Sequence, residues 1–149
     1  MTADRVARGL DLLLAQAVGL ALVVLIGIEA AQVLGRYALG TGVSWARDVA
    51  TLLLMTVGWL GAPLLWLRRA HIAVDLWPRW RARDWPLDVL MLVCGPALVV
   101  ISLRAMDGYR MIDLPALGTD ATIKVWPMLA GAVLLTLVAA LNLLRRDRP

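Results

Sequence analysis

The sequence predicts an all-α membrane protein with four transmembrane helices, an interfacial amphipathic arm helix between the second and the third, and both termini in the cytoplasm. Hydrophobic residues make up 61% of the 149-residue chain and the mean hydropathy is +0.77, far more apolar than a soluble domain of this size needs. The apolar residues are also segregated into four charge-free runs, which cover residues 12–28, 49–67, 89–103 and 125–144. A single membrane domain therefore accounts for the whole chain.

Each run is judged against the length that a membrane crossing requires. The runs hold 17, 19, 15 and 20 residues, and a crossing helix needs about 20 mostly apolar residues, within a range of roughly 17 to 25. The third run is short, so its helix must extend through Asp88 or Arg104, whose long side chain reaches the headgroups. The first run follows Arg5 and Arg8, as in a secretory signal, but it is too long and no small-residue cleavage site follows it, so we expect it to stay in the mature protein. The predicted helices cover about residues 10–34, 48–67, 86–106 and 123–144.

The basic residues predict the orientation. Ten Lys and Arg residues lie in the N-terminal segment, the second loop and the C-terminal segment, whereas the first and third loops together hold five. Since basic flanks stay in the cytoplasm, the termini and the second loop are predicted there. The net charge of +4 does not indicate nucleic acid as a partner, because the arginines flank membrane segments and do not line one polar face.

The second loop has the pattern of an amphipathic helix at about residues 71–84. Apolar and charged residues each recur at a spacing of four, which places them on separate faces. The apolar row is Ile72, Leu76 and Trp80, and the charged row is Asp75, Arg79 and Arg83. Pro78 either breaks this helix or starts a second one. A Trp- and Arg-rich segment of this kind lies in the interface plane, in contact with membrane lipids.

His71 is the only histidine of the chain. It cannot supply two axial ligands to a haem, and Cys94, the only cysteine, leaves no metal set or disulfide to complete, so we expect no cofactor. Asp75, four residues on, is placed to orient His71. No nucleophile accompanies the pair, which favours a structural role at the junction of the second helix and the arm over a chemical one.

Glu29 is the sharper candidate for chemistry, since an acid within a membrane helix is a functional hypothesis by default. The position of Glu29 weakens this hypothesis, because the residue lies about 10 Å from the centre of the predicted first helix, towards the periplasmic side. Arg36 follows at i+7 on the same face. A local acid–arginine cluster and a proton site both stay open.

Small residues form the third feature. Gly27, Ala31 and Gly35 recur at a spacing of four in the first helix, and Gly58, Gly61 and Ala62 share one face of the second. Such faces allow close packing of helices in lipid, although glycine and alanine are common in membrane helices generally. No phosphate-binding glycine loop, Ser–His–acid set or paired intramembrane carboxylates occur in the sequence, which predicts no enzyme.

The stretch from Gly35 to Asp75, GRYALGTGVSWARDVATLLLMTVGWLGAPLLWLRRAHIAVD, resembles the small four-helix membrane subunit (the Q subunit) of tripartite ATP-independent periplasmic (TRAP) transporters. The family pattern has an Arg-Tyr that closes the first helix, a Ser-Trp followed by acids, a small residue within the second helix, an Arg-rich turn and a His-Ile-x-x-Asp. The matching residues are Arg36, Tyr37, Ser44, Trp45, Asp48, Gly61, Arg68, Arg69, His71, Ile72 and Asp75. The chain departs from the pattern at Arg47, where an acid is usual, and at Ala70, where glycine is usual.

The resemblance implies a sodium-coupled system for the uptake of organic acids across the bacterial inner membrane. A periplasmic substrate-binding protein delivers the substrate, a large M-type membrane subunit transports it, and the small subunit braces the large one. The alternative from another class is a small multidrug-type proton-coupled antiporter that uses Glu29. Such proteins have very short loops and a mid-membrane acid, whereas the loop after the second predicted helix is about 20 residues long. A third possibility is the membrane anchor of a respiratory enzyme, which would usually need two histidines to bind haem.

Overall fold

The computed structural model describes residues 2–40, 42–68, 85–115 and 117–146. Four long helices dominate it, and all four are long and apolar enough to cross a membrane, which confirms the predicted helices, the short third one included. Their bounds are α1 Thr2–Leu39, α2 Ser44–Leu67, α3 Trp85–Tyr109 and α4 Trp126–Arg146. The predicted arm at residues 71–84 lies outside the described residues, as do Arg69, His71 and Asp75.

Helix α1 is longer than the predicted membrane crossing at both ends. Its 38 residues correspond to about 57 Å at 1.5 Å per residue, whereas the hydrocarbon core of a bilayer is about 30 Å thick. The first residues of α1 include charged side chains but no proline, so the helix continues beyond the segment that is apolar enough to lie in lipid. The charge-free run at residues 12–28 therefore forms only the middle of α1.

A short antiparallel hairpin and a 3-10 helix lead into α4, and neither is evident in the hydropathy pattern. Strands β1 (Asp113–Leu114) and β2 (Thr119–Asp120) pair with Asp113 opposite Asp120. The 3-10 helix spans Ala121–Lys124. The fourth helix accordingly begins at Trp126, three residues after the predicted start at residue 123.

The helices pack in the order α1–α2–α4–α3, as an open row in which α1 also makes a smaller contact with α4. Helices α2 and α4 form its centre, α1 packs mainly on α2, and α3 packs mainly on α4. The chain exposes 10228 Å², compared with about 7500 Å² for a compact soluble monomer of the same mass. The row leaves most of the apolar side chains of α1 and α3 uncovered by the chain itself.

One face of α1 forms a regular buried seam. Ala7, Leu14 and Ala21 are buried and recur every seven residues. Residues three or four positions from them, among them Asp11, are partly covered in the same alternation. This is the spacing of left-handed coiled coils and of most membrane helix pairs.

Among the described glycines, two lie at close helix approaches, and the sequence analysis does not single out either of them. A Cβ on Gly131 would lie 2.9 Å from the backbone carbonyl carbon of Trp59, and one on Gly95 would lie 3.2 Å from Cα of Thr136. These glycines therefore set the α2–α4 and α3–α4 separations. A Cβ on Gly58 would meet no atom of the described residues within 4 Å, and the same holds for Gly61.

Candidate functional site

Among the residues that the structure describes, we consider three polar contacts that connect the helices of the row, at two opposite ends. We call the end where α1 begins and α4 finishes the termini end, and the end where α1 finishes and α4 begins the loop end. Two contacts lie at the termini end and one at the loop end.

At the termini end, Arg68 binds Asp11 through two hydrogen bonds. Nε donates to Oδ1 at 2.6 Å and Nη2 donates to Oδ2 at 3.1 Å. The hydrogen bond and the charge of Asp11 raise the pKa of the Arg68 guanidinium above its ordinary value, so the arginine stays charged. Both side chains are substantially exposed, at 47% and 29% for Arg68 and Asp11, so the pair contributes little to the stability of the fold.

The second contact is a buried carboxylate at the same end. Asp88, near the start of α3, is 1% exposed. It accepts a hydrogen bond of 3.0 Å from Nε1 of Trp66, near the end of α2, and a longer one of 3.5 Å from Nδ2 of Asn142 in α4. A buried carboxylate is stable only where donors satisfy it. Asp88 thus joins three helices at one point.

Sequence reasoning treated Asp88 only as a polar boundary that α3 must tolerate. The sequence does contain a sign that Asp88 has a buried partner, because a short acidic side chain at the start of an apolar run reaches water less easily than arginine does. An acid at such a position needs donors from a neighbouring helix, and the sequence does not show which helix supplies them.

The third contact lies at the loop end, where Asp48 in α2 meets Lys124 of the 3-10 helix. Lys124 Nζ donates to Asp48 Oδ1 at 2.9 Å, and the two side chains are 22% and 16% exposed for Asp48 and Lys124 respectively. Asp120 caps the 3-10 helix by accepting from the Thr122 backbone N–H at 3.1 Å, which holds Lys124 in place. Trp45, one turn before Asp48, is 46% exposed and stands at the outer surface.

Glu29 lies in the second half of α1, towards the loop end. It follows Asp11 by 18 residues, or about 27 Å along the helix, which nearly equals the roughly 30 Å thickness of the hydrocarbon core. Asp11 and Glu29 therefore mark the two boundaries of the apolar part of α1. Glu29 and Arg36 are both exposed, and no ion pair joins the two.

The small-residue face of α2 is open to the exterior of the chain. Gly58 is exposed and Gly61 is partly exposed. No atom of the described residues comes within 4 Å of a Cβ built on either glycine. Among the described residues, no group of three His, Cys, Asp or Glu side chains is placed to hold a metal ion.

The polar contacts described above connect the helices but do not identify the class of protein. A comparison with protein families identifies it. The family model of the DctQ component of tripartite ATP-independent periplasmic transporters matches residues 25–148. This chain belongs to the DctQ family. No curated protein and no solved structure matches it.

Membership confirms the resemblance drawn from residues 35–75, and the match also covers α3 and α4. This DctQ protein is a multi-pass membrane protein and a component of a transporter. The family pattern pointed to Asp48 and Arg68, and both form interhelical ion pairs. Their partners, Lys124 and Asp11, were not predicted.

Proposed function

We propose that this protein is the small scaffold subunit of a sodium-coupled TRAP transporter that takes up organic acids across the bacterial inner membrane. It braces a large M-type transport subunit, to which a periplasmic binding protein delivers the substrate. The termini end faces the cytoplasm in this proposal, as the basic residues predict.

The open row of helices carries the proposal. A transporter that works alone encloses its substrate between helices, and its charged groups face that path. In the described part of this chain, the charged residues Asp11, Arg68, Asp88, Asp48 and Lys124 hold helices to one another. The large apolar surface that α1 and α3 leave uncovered suits contact with another membrane protein and with lipid.

The proton-antiporter alternative depends on Glu29, and its position counts against it. A coupling carboxylate that alternates between two sides of a membrane is expected near the middle of the bilayer. Glu29 lies near one boundary, about 27 Å from Asp11 at the other.

Reconstitution in liposomes tests the function directly. The purified chain alone should give no uptake or efflux under a sodium or proton gradient. Liposomes that also contain the large subunit should take up organic acid when the binding protein and a sodium gradient are supplied. Gradient-driven transport by the chain alone would falsify the scaffold assignment.

Glu29→Gln separates the two readings within the complete transporter. The scaffold proposal expects uptake to keep its dependence on the sodium gradient, with any loss confined to the amount of assembled complex. A variant that assembles in full but no longer responds to the ion gradient would support a coupling role for Glu29.

A further inference from the structure

Helix α1 carries a second seam, on the face opposite α2. Its residues alternate at spacings of three and four, which is again the spacing of packed membrane helices. We call this the outer seam, and its members are Leu13, Gln16, Leu20, Val23, Gly27, Ala30 and Leu34. All seven are exposed in the isolated chain.

Gln16 lies within the apolar depth of this seam. It follows Asp11 by five residues, or about 7.5 Å along the helix, and so lies inside the boundary that the Asp11–Arg68 pair marks. Its side chain forms no hydrogen bond with any residue that the structure describes. Lipid tails offer an amide neither donor nor acceptor, so a glutamine at this depth is costly unless another helix satisfies it.

The other edge of the row provides a contrast. The exposed side chains of α3 within its charge-free run are all apolar, and Leu90, Val93 and Ile101 are 51%, 66% and 52% exposed. Lipid covers such a surface without leaving a polar group unsatisfied. The uncovered side of α4 is likewise apolar, with Val133 and Leu137 at 42% and 51%. Of these uncovered faces, the outer seam of α1 presents an amide at hydrocarbon depth.

We propose that the outer seam is the surface on which a transmembrane helix of the large membrane subunit packs, while α3 faces lipid. The Gln16 amide donates a hydrogen bond to a backbone carbonyl of that helix, or exchanges one with a polar side chain there. Gly27, whose Cβ would meet no atom within 4 Å, permits close approach near the loop end. This inference rests on the proposed function, because family membership makes the chain one component of a multi-component transporter and so supplies the occupant.

Two valines on the two edges provide a matched experiment. Val23 in the outer seam is 68% exposed and Val93 on α3 is 66% exposed, so each accepts tryptophan without disturbing the packing of the chain. The chain is co-expressed with its affinity-tagged large subunit, and co-purified chain is divided by its abundance in the membrane. Val23→Trp should lower this ratio about tenfold, and Val93→Trp should leave it at the wild-type value.

Gln16→Leu isolates the amide, since leucine is similar in size and better suited to lipid. Loss of one interhelical hydrogen bond in a membrane should lower the ratio about three- to tenfold. Gln16→Asn, which keeps an amide, should recover part of the loss.

The possible outcomes distinguish failure of the proposed function from failure of the assignment of the outer seam. If the wild-type chain does not co-purify with the large subunit, the proposed function fails with it. If the wild type co-purifies and Val23→Trp and Gln16→Leu do so equally well, only the assignment of the outer seam fails, and that face meets lipid. Val23→Cys in a Cys94→Ala background tests for a second copy of the chain, because an oxidised dimer formed in the presence of the large subunit would overturn the choice of occupant.

Discussion

Replacing Gly131 by alanine tests whether glycine sets the distance between the two central helices. A Cβ at this position would lie 2.9 Å from both the carbonyl carbon and Cβ of Trp59, and closer still to the carbonyl oxygen. Two of these atoms belong to backbone, so no rotamer change relieves the contact. Helices α2 and α4 must move apart, or α4 must rotate.

Two terms decide the size of the effect. Overpacking a well-packed interior costs about 1–3 kcal/mol, while alanine gains up to about 1 kcal/mol over glycine in helix propensity. Gly61→Ala provides the matched control, because it gains the same propensity term and meets no atom within 4 Å. Subtracting one variant from the other cancels the propensity, so Gly131→Ala should be less stable than Gly61→Ala by about 1–3 kcal/mol.

The assay is unfolding of the detergent-solubilised chain by titration with a denaturing detergent, followed by tryptophan fluorescence. Trp59, one of the seven tryptophans of the chain, lies at the α2–α4 contact, so the signal includes a contribution from this helix pair. Equal unfolding midpoints for the two variants would show that α2 and α4 do not approach as closely as the structure has them. The argument from glycine would then be wrong.

Three other changes test the remaining contacts. Asp88→Leu should destabilise the chain by about 2–4 kcal/mol, because two donors lose their acceptor, and unchanged unfolding would contradict the buried contact. Asp48→Ala and Lys124→Ala should each cost about 0.2–1 kcal/mol, as partly exposed pairs do; the double variant should match either one, and additive losses would show that the pair contributes nothing. Gly61→Leu should leave the abundance of the chain in the membrane unchanged and reduce its co-purification with the large subunit, unless that face of α2 meets lipid.

The sequence alone predicts the four helices because hydropathy and charge-free length are local properties. It also indicates that Asp48 and Arg68 are important, through the family pattern, but not what they bind. Lys124 lies 76 residues from Asp48 and Asp11 lies 57 residues from Arg68, so no local spacing connects them. Which residue stands opposite depends on the order of the helices in the row.

The glycines likewise show that the sequence does not reveal which helix lies opposite a given residue. Spacing identifies residues that share a face of a helix, and by that criterion Gly61 resembles any glycine at a helix contact. Only the path of the neighbouring helix decides that Gly131 is covered while Gly61 is open. The roles of His71 and Asp75 stay predictions, since both lie outside the described residues; if they act as one unit, the double alanine variant should assemble little worse than either single variant.

The open row has a mechanical consequence for its place in the bilayer. Four helices in a straight row, each about 8–10 Å from the next, would place the axes of α1 and α3 about 30 Å apart at most, and the contact of α1 with α4 makes the row narrower than that. A tilt of about 15° within the plane of the row would then raise one edge helix and lower the other by up to about 4 Å each. Each ångström by which an edge helix is displaced from its matching depth costs a fraction of a kcal/mol in bilayer deformation. The tilt displaces both edge helices, so both costs oppose it. A row of this width therefore keeps its orientation to the membrane normal more firmly than a closed bundle of the same four helices, and it imposes that orientation on whatever packs against its edge.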